Sequence, residues 1–214
     1  MSIIGTFNGW NIVGLPCDTT AGVRRYSSIE WDPQEVVSVN TSPFTGQTQT
    51  YDWQASWWEG HLSFPPMTRA SADAWKAFIL QCRGQSNVFL LGDPKAAAPK
   101  GTPAGFPRVA GASQMGYSLS TRGWTVNAQN ILLVGDYIQI GYRLYCILNA
   151  AAADSSGNAT LSIWPNLRDQ PADNAPITTA SCKGLFRLKQ NAGNKWSTNP
   201  GSYGFTGIQI REAL

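Results

Sequence analysis

The sequence predicts a mainly β protein with one substantial α-helix, built in two parts, the second a small antiparallel β domain inserted into the first. Three observations carry this. Between Pro65 and Leu91 lies one clear helical period, with Trp75, Phe78, Ile79 and Cys82 at i, i+3, i+4 and i+7. Tyr51 to Trp57 alternates instead, with Tyr51, Trp53, Ala55 and Trp57 on one face and Asp52, Gln54 and Ser56 on the other. Elsewhere short apolar runs are separated by glycine, proline and small polar residues, and only 14% of the chain is charged.

At 214 residues the chain can bury one large β core or two smaller ones. Nine Trp, eight Phe and seven Tyr supply the surface to bury, which excludes a disordered chain. The net charge of +3 is spread without a basic run and makes no case for nucleic-acid binding. No apolar run approaches the ~20 residues of a membrane span, and the N-terminus lacks the basic and apolar regions of a signal peptide. The expectation is a soluble product made in the cytoplasm. Cys17, Cys82, Cys146 and Cys182 are far apart and read as buried thiols.

Residues 3–31 read as strands broken by glycines, with Asn8-Gly9 suited to a tight hairpin turn. Ile29, Trp31, Val36, Val37 and Val39 suggest further strand, where Pro33 requires an edge or a bulge. Ser42 to Thr50 is polar and reads as a loop. After Tyr51–Trp57 the buried face changes, and a bulge near Glu59 and Gly60 would reconcile the halves. The helix should run from about Arg69 to Arg83. Thr68 would cap its N-terminus through the hydroxyl, and Gly84 would take the left-handed position past its end. Burying Trp75, Phe78 and Ile79 contributes about 1.5–3 kcal/mol each, so the stripe needs a sheet to lie on.

The segment 92–108, rich in proline and glycine, reads as a long connection and a domain boundary. From Val109 to Trp164 short strands follow, with turns at Gly135-Asp136, Gly141 and Ser156–Asn158 and no crossover helix, so the block is an antiparallel sheet or barrel. Leu185–Leu188 and Tyr203–Ala213 are strands. The last should return to the first domain beside Trp57–Phe64, since a terminal strand is stable only when tied into a sheet. The domains are therefore 1–92 together with 181–214, and 93–180 as the insertion.

No catalytic motif emerges. His61 is the single histidine and sits in a strand beside Glu59; no GxSxG, nucleotide-binding glycine pattern or clustered metal ligands accompany it. Asp136 and Asp154 belong to turns. Trp53, Trp57, Trp58 and Trp75 fall on core faces, while Trp10, Trp124, Trp164 and Trp196 lie near turns, where an aromatic face could stack on a sugar. The reading is no enzyme, no cofactor, no metal, and a surface that serves as the product.

The order of segments is similar to a known family. SPFTGQTQTYDWQASWWEGHLSFPPMTRASADAWKAFILQCRGQSNVFLLGDP, then RGWTVNAQNILLVGDYIQIGYRLYCILNAAAADSSGNATLSIWPNLRDQPADNAP, LFRL and a final YGFTGIQIREA resemble tail proteins of long-tailed phages and prophages, the distal tail protein above all. The likeness runs from about Ser42 to the C-terminus and is one of segment order. It implies a tail-tube-like β-sandwich with one α-helix and a peripheral inserted domain, assembled as a ring, usually a hexamer. It also implies a place at the tail tip of the virion, synthesis in the bacterial host cytoplasm, tail tube and tail hub proteins as partners, and DNA that only passes through the channel. A closed ring needs two different patches meeting head to tail. The polar, Lys- and Glu-free stretch Ser42, Pro43, Phe44, Thr45, Gly46, Gln47, Thr48 and Gln49 is the candidate for one of them. The alternative is a carbohydrate-binding module used in host adsorption, with a host-surface glycan as partner and Trp124 and Trp164 as its test residues. A cell-wall hydrolase centred on Glu59 and His61 is the third class.

Overall fold

A computed structural model describes residues 2–199 and 202–214. Its first elements are β1 (Ile3–Phe7), β2 (Trp10–Val13), α1 (Pro16–Thr19), β3 (Ser28–Thr41), β4 (Thr48–Ser63), α2 (Arg69–Cys82) and β5 (Phe89–Leu91). There follow β6 (Gly105–Val109), β7 (Gly116–Trp124), β8 (Tyr137–Ile140), β9 (Arg143–Ile147), β10 (Ala159–Leu167) and β11 (Ile177–Thr178). The chain closes with β12 (Gly184–Leu188), β13 (Trp196–Asn199), β14 (Ser202–Phe205) and β15 (Ile208–Glu212). With 46% of residues in strands and 10% in helices, the protein is mainly β. No helix among the described residues is long and apolar enough to cross a membrane.

Two units divide the chain: Met1–Pro33 with Trp58–Leu91 and Gly184–Leu214, and Gln34–Trp57 with Gly92–Lys183. The breaks at Leu91 and Lys183 fall within three residues of those read from composition. The difference lies in Gln34–Trp57, which the sequence reading kept with 1–92. Its side chains are bonded to β10 instead: Ser56 Oγ donates to Asn166 Oδ1 at 2.8 Å, Asn166 Nδ2 donates to the Gln54 carbonyl, and Trp164 Nε1 donates to Glu35 Oε1 at 2.6 Å. These bonds join residues more than 100 positions apart in the chain, which local patterns do not encode.

In the first unit the five-stranded sheet runs in the order β3-β4-β15-β12-β5. The terminal strand returns where expected, β15 pairing antiparallel with β4 so that Ile208 faces Leu62 and Arg211 faces Glu59. It is shorter than Tyr203–Ala213, because the chain turns at Gly207 (φ +96°) and β14 forms a separate hairpin with β13. Asn8 and Gly9 both take positive φ and turn β1 into β2, as an Asn-Gly pair should. Pro33 lies in β3, the edge strand, where its missing amide breaks no internal ladder. A Cβ at Gly60 would stand 2.7 Å from the Glu30 carbonyl oxygen, so glycine lets β3 and β4 approach. The short helix α1 escaped the sequence reading; four residues carry no period.

The α2 helix forms where its stripe predicts and buries Trp75, Phe78, Ile79 and Cys82. Trp75 meets Phe64 edge-on at 4.6 Å between ring centroids, and Phe78 meets Phe89 of β5 at 5.2 Å. The indole Nε1 of Trp75 donates to the Arg24 carbonyl at 2.9 Å, which satisfies the one polar atom of a fully buried side chain. Thr68 occupies the cap position without a side-chain cap bond; only its carbonyl is engaged, accepting from Ala72 N at 3.0 Å. At the other end Arg83 (φ 49°) and Gly84 (φ 63°) are both left-handed. A Cβ on Gly84 would lie 2.6 Å from Asn191 Oδ1, so that glycine is needed for space as well as conformation.

The second unit contains a six-stranded antiparallel sheet in the order β11-β8-β9-β10-β7-β6. Its edges meet: Arg108 bridges Pro176, Val109 N donates to the Ala175 carbonyl and Asn174 N to the Val109 carbonyl, both at 3.0 Å. The sheet is therefore closed into a small barrel, which leaves few free edges. Leu119, Ile138, Ile147, Leu161 and Ile163 fill it. Pro165 cannot donate to a ladder, and the β10–β7 register breaks between Ser162 and Leu167 to accommodate it. Asp136 is a turn residue, as read, and more: its buried carboxylate accepts from Lys100 N, Gly101 N and Leu133 N at 2.7, 3.0 and 2.8 Å, fastening the 92–101 connection to the barrel.

Asp173 ties the barrel's seam, accepting from Gly111 N at 2.8 Å and from Arg122 Nη2 at 3.0 Å. The Gly111 amide first, and Arg122 beside it, hold its carboxyl below the usual carboxylate range against the opposing effect of desolvation. A folded pKa lowered in this way stabilises above the ordinary carboxylate pKa, and the contribution is lost as pH falls through the lowered value. Asp173→Asn should therefore melt below the wild type at neutral pH, with the gap closing in acid. A gap that stays constant from pH 7 to pH 2 would contradict this role.

Candidate functional site

The interface candidates Ser42–Gln49 gather at one hairpin end, although the loop is shorter than read: β3 continues to Thr41 and β4 begins at Thr48, so Thr48 and Gln49 are strand residues. The turn between them is ordered by its own bonds. Ser42 N donates to the Gln47 carbonyl at 2.8 Å and Gly46 N to the Ser42 carbonyl at 3.0 Å. Ser42 Oγ accepts from Phe44 N and Thr45 N at 3.4 and 3.3 Å, and Gly46 supplies the left-handed residue (φ +68°). The consequence is a fixed, uncharged turn with Phe44 at its tip, 95% exposed.

Two further features escaped the sequence reading. Val36, Val37 and Val39 on β3 and Tyr51 and Trp53 on β4 are exposed, so this part of the hairpin shows apolar side chains along both strands. Tyr51 (58% exposed) and Trp53 (59%) stack edge-on at 4.7 Å on one face, which corrects the assignment of Trp53 to a core. The face changes at Gln54, not near Glu59 and Gly60: Gln54 takes φ 51°, and its amide donates to Asp52 Oδ1 at 2.7 Å. Beyond that kink Ser56 and Trp58 are buried. A signal was present in composition. From Ser28 to Ser63 the chain carries Glu30, Asp32, Glu35, Asp52 and Glu59 but no Lys or Arg, an acidic hairpin in a basic protein.

The other candidate chemistry sorts differently. Glu59 is buried on β4 and committed to cations, with Lys189 Nζ at 2.6 Å and Arg211 Nε at 3.7 Å. Glu59 and His61 border a groove of ≈ 300 Å³ together with Glu30, Asp32, Lys189 and Gln209. The imidazole packs on Gly207, whose Cβ would stand 2.3 Å from Nε2, so His61 reads as the residue that seats the start of β15. No group of three or more His, Cys, Asp or Glu side chains among the described residues could hold a metal ion. The cysteines are free thiols. Cys82 and Cys182 are buried as read, whereas Cys17 and Cys146 are only half-buried; burial pushes Cys82 up to about 12 and Cys17 and Cys182 up to about 11, so these three stay protonated at neutral pH.

Of the turn tryptophans, Trp124 is 4% exposed inside the barrel and cannot present a face to a sugar. Trp164 is half-buried with its indole N–H spent on Glu35, and Trp10 stacks under the Arg187 guanidinium at 4.3 Å. Trp196 keeps an exposed face. Compared with known proteins, the chain matches no protein-family model and no curated protein.

Proposed function

We propose that this chain is a structural component of a phage tail tip, of the distal tail protein kind, assembled from copies of itself into a ring between the tail tube and the receptor-binding tip. The observation that carries the self-assembly is the β3–β4 hairpin: Val36, Val37, Val39, Phe44, Tyr51 and Trp53 are all exposed on one acidic two-stranded element whose outer strand ends its sheet. A long edge strand with exposed apolar residues is a hazard for a monomer and a natural contact for an assembly. The ring, its hexameric count, the tail tube and hub proteins as neighbours, the virion tail tip as location and DNA in the channel come from the resemblance in segment order.

The wild type should sediment as a large species and show rings with a central hole by electron microscopy, and deleting Thr45–Gln49 should leave a folded protein by circular dichroism while removing that species. Rings that survive the deletion would refute the role given to the turn.

One observation favours a second reading, a carbohydrate-binding module in host adsorption: the exposed Tyr51–Trp53 pair offers aromatic faces. The residues that test it are these two in place of Trp124 and Trp164. Glycan-array binding abolished by Trp53→Ala, from a protein that stays monomeric, would favour this reading over the ring.

A further inference from the structure

Beside the C-terminal end of α2 lies an apolar groove of ≈ 240 Å³ lined by Ile79, Leu80, Arg83, Leu188, Ala192 and Trp196. Leu80 is 64% exposed on the helix and Trp196 is exposed on β13, so apolar side chains are left open on two elements that border it. The groove is preformed. Asn191 Oδ1 accepts from Gln85 N at 3.0 Å, Gln85 Nε2 donates to the Lys189 carbonyl, and Thr206 N donates to the Lys195 carbonyl at 3.2 Å. The first two bonds hold residues 189–191 against the helix end and the third ties Lys195 to the turn before β15, so the loop is ordered before anything binds, which lowers the ordering cost of association.

We propose that this groove receives the Ser42–Gln47 turn of a second copy of the chain, with the Phe44 ring as the inserted group. The inference rests on the self-assembly reading above and names its second patch. Phe44 is an apolar ring held on a turn of fixed backbone, the shape of an anchor residue in search of a pocket. Charge favours the match: the hairpin end from Asn40 to Trp53 carries Asp52 and no Lys or Arg, whereas Arg83 lines the groove and Lys195 stands between its lining residues Asn194 and Trp196, with no acid in residues 184–199. The two patches differ, so the contact is head to tail and repeats from copy to copy, as a ring requires.

The test places a photo-crosslinking phenylalanine analogue at position 44 of the full chain, mixed with isotopically labelled chain so that intermolecular products are recognised. Expected are crosslinks between chains, mapping to 79–84 or 188–196. Phe44→Ala and Leu80→Lys, both at exposed positions and so folding normally by circular dichroism, should each weaken self-association about tenfold to a hundredfold in sedimentation. Large species that persist while Phe44 crosslinks elsewhere would overturn the docking and leave the assembly reading standing. Crosslinks confined to a single chain would also overturn it. A chain that stays monomeric at every concentration would bring down both.

Discussion

Phe78→Ala should lower the stability of the first unit by about 3–5 kcal/mol, a large share of the ~5–15 kcal/mol that a domain commonly has. Phe78 has no exposed surface and lies between Trp75, at 5.6 Å, and Phe89, at 5.2 Å, both in edge-on geometry. Removing the ring strips both neighbours of contact at once and leaves a void in a place that cannot collapse, since Trp75 is pinned to the Arg24 carbonyl and Phe89 to the β12 ladder. Leu80→Ala, two positions on but exposed, serves as the control and should move stability by less than about 0.5 kcal/mol. Denaturant unfolding followed by circular dichroism reads both. A Phe78→Ala midpoint equal to the wild type would show that α2 is an ornament on the sheet and not its cover.

The legible parts of this fold are those in which a local pattern and a tertiary need coincide. The stripe of α2 is one: helical spacing and burial select the same four residues, and the structure places the helix within a residue of the reading. The Asn8-Gly9 turn and the pairing of β15 with β4 are others, the first from backbone conformation, the second from the instability of a loose terminal strand. What stayed hidden depends on contacts distant in sequence. Trp53 alternates perfectly with Tyr51 and Ala55, so period alone places it on a core face; only the left-handed Gln54 reverses the sense, and glutamine announces no such conformation. Likewise Gln34–Trp57 reads as a continuation of the strands at its base, whereas Ser56, Glu35 and their partners on β10 bind it to the inserted barrel. The turn at Ser42–Gln47 is legible as a turn because its polarity and its glycine are local properties. The groove beside α2 is not, because its walls come from a helix, the end of β12 and a loop more than 100 residues further along the chain.

Trp124→Ala should destabilise the barrel by about 3–5 kcal/mol, and this changes what the variant can be used to test. The indole is buried with its Nε1 donating to Thr121 Oγ1 at 2.8 Å, and Thr121 Oγ1 in turn donates to the Ala159 carbonyl at 2.7 Å. This short chain ties β7 to β10 inside the core, where each bond is worth more than at the surface and each unmet group costs more. Backbone approach adds to it: Trp124 N donates to the Gly157 carbonyl at 3.1 Å, and a Cβ at Gly157 would stand 2.5 Å from the Trp124 carbonyl oxygen, so the backbone at this corner is packed too tightly to move into a void. Alanine removes both the ring and the donor, whereas Trp124→Phe keeps most of the ring and loses only the donor, since Thr121 still reaches Ala159. The phenylalanine variant should therefore lose about 1–3 kcal/mol, less than the alanine variant. Loss of glycan binding in Trp124→Ala would report the barrel's unfolding, and Trp53→Ala is the variant that separates recognition from stability. Equal unfolding midpoints for wild type, Trp124→Phe and Trp124→Ala would place Trp124 outside the core and restore it as a surface residue.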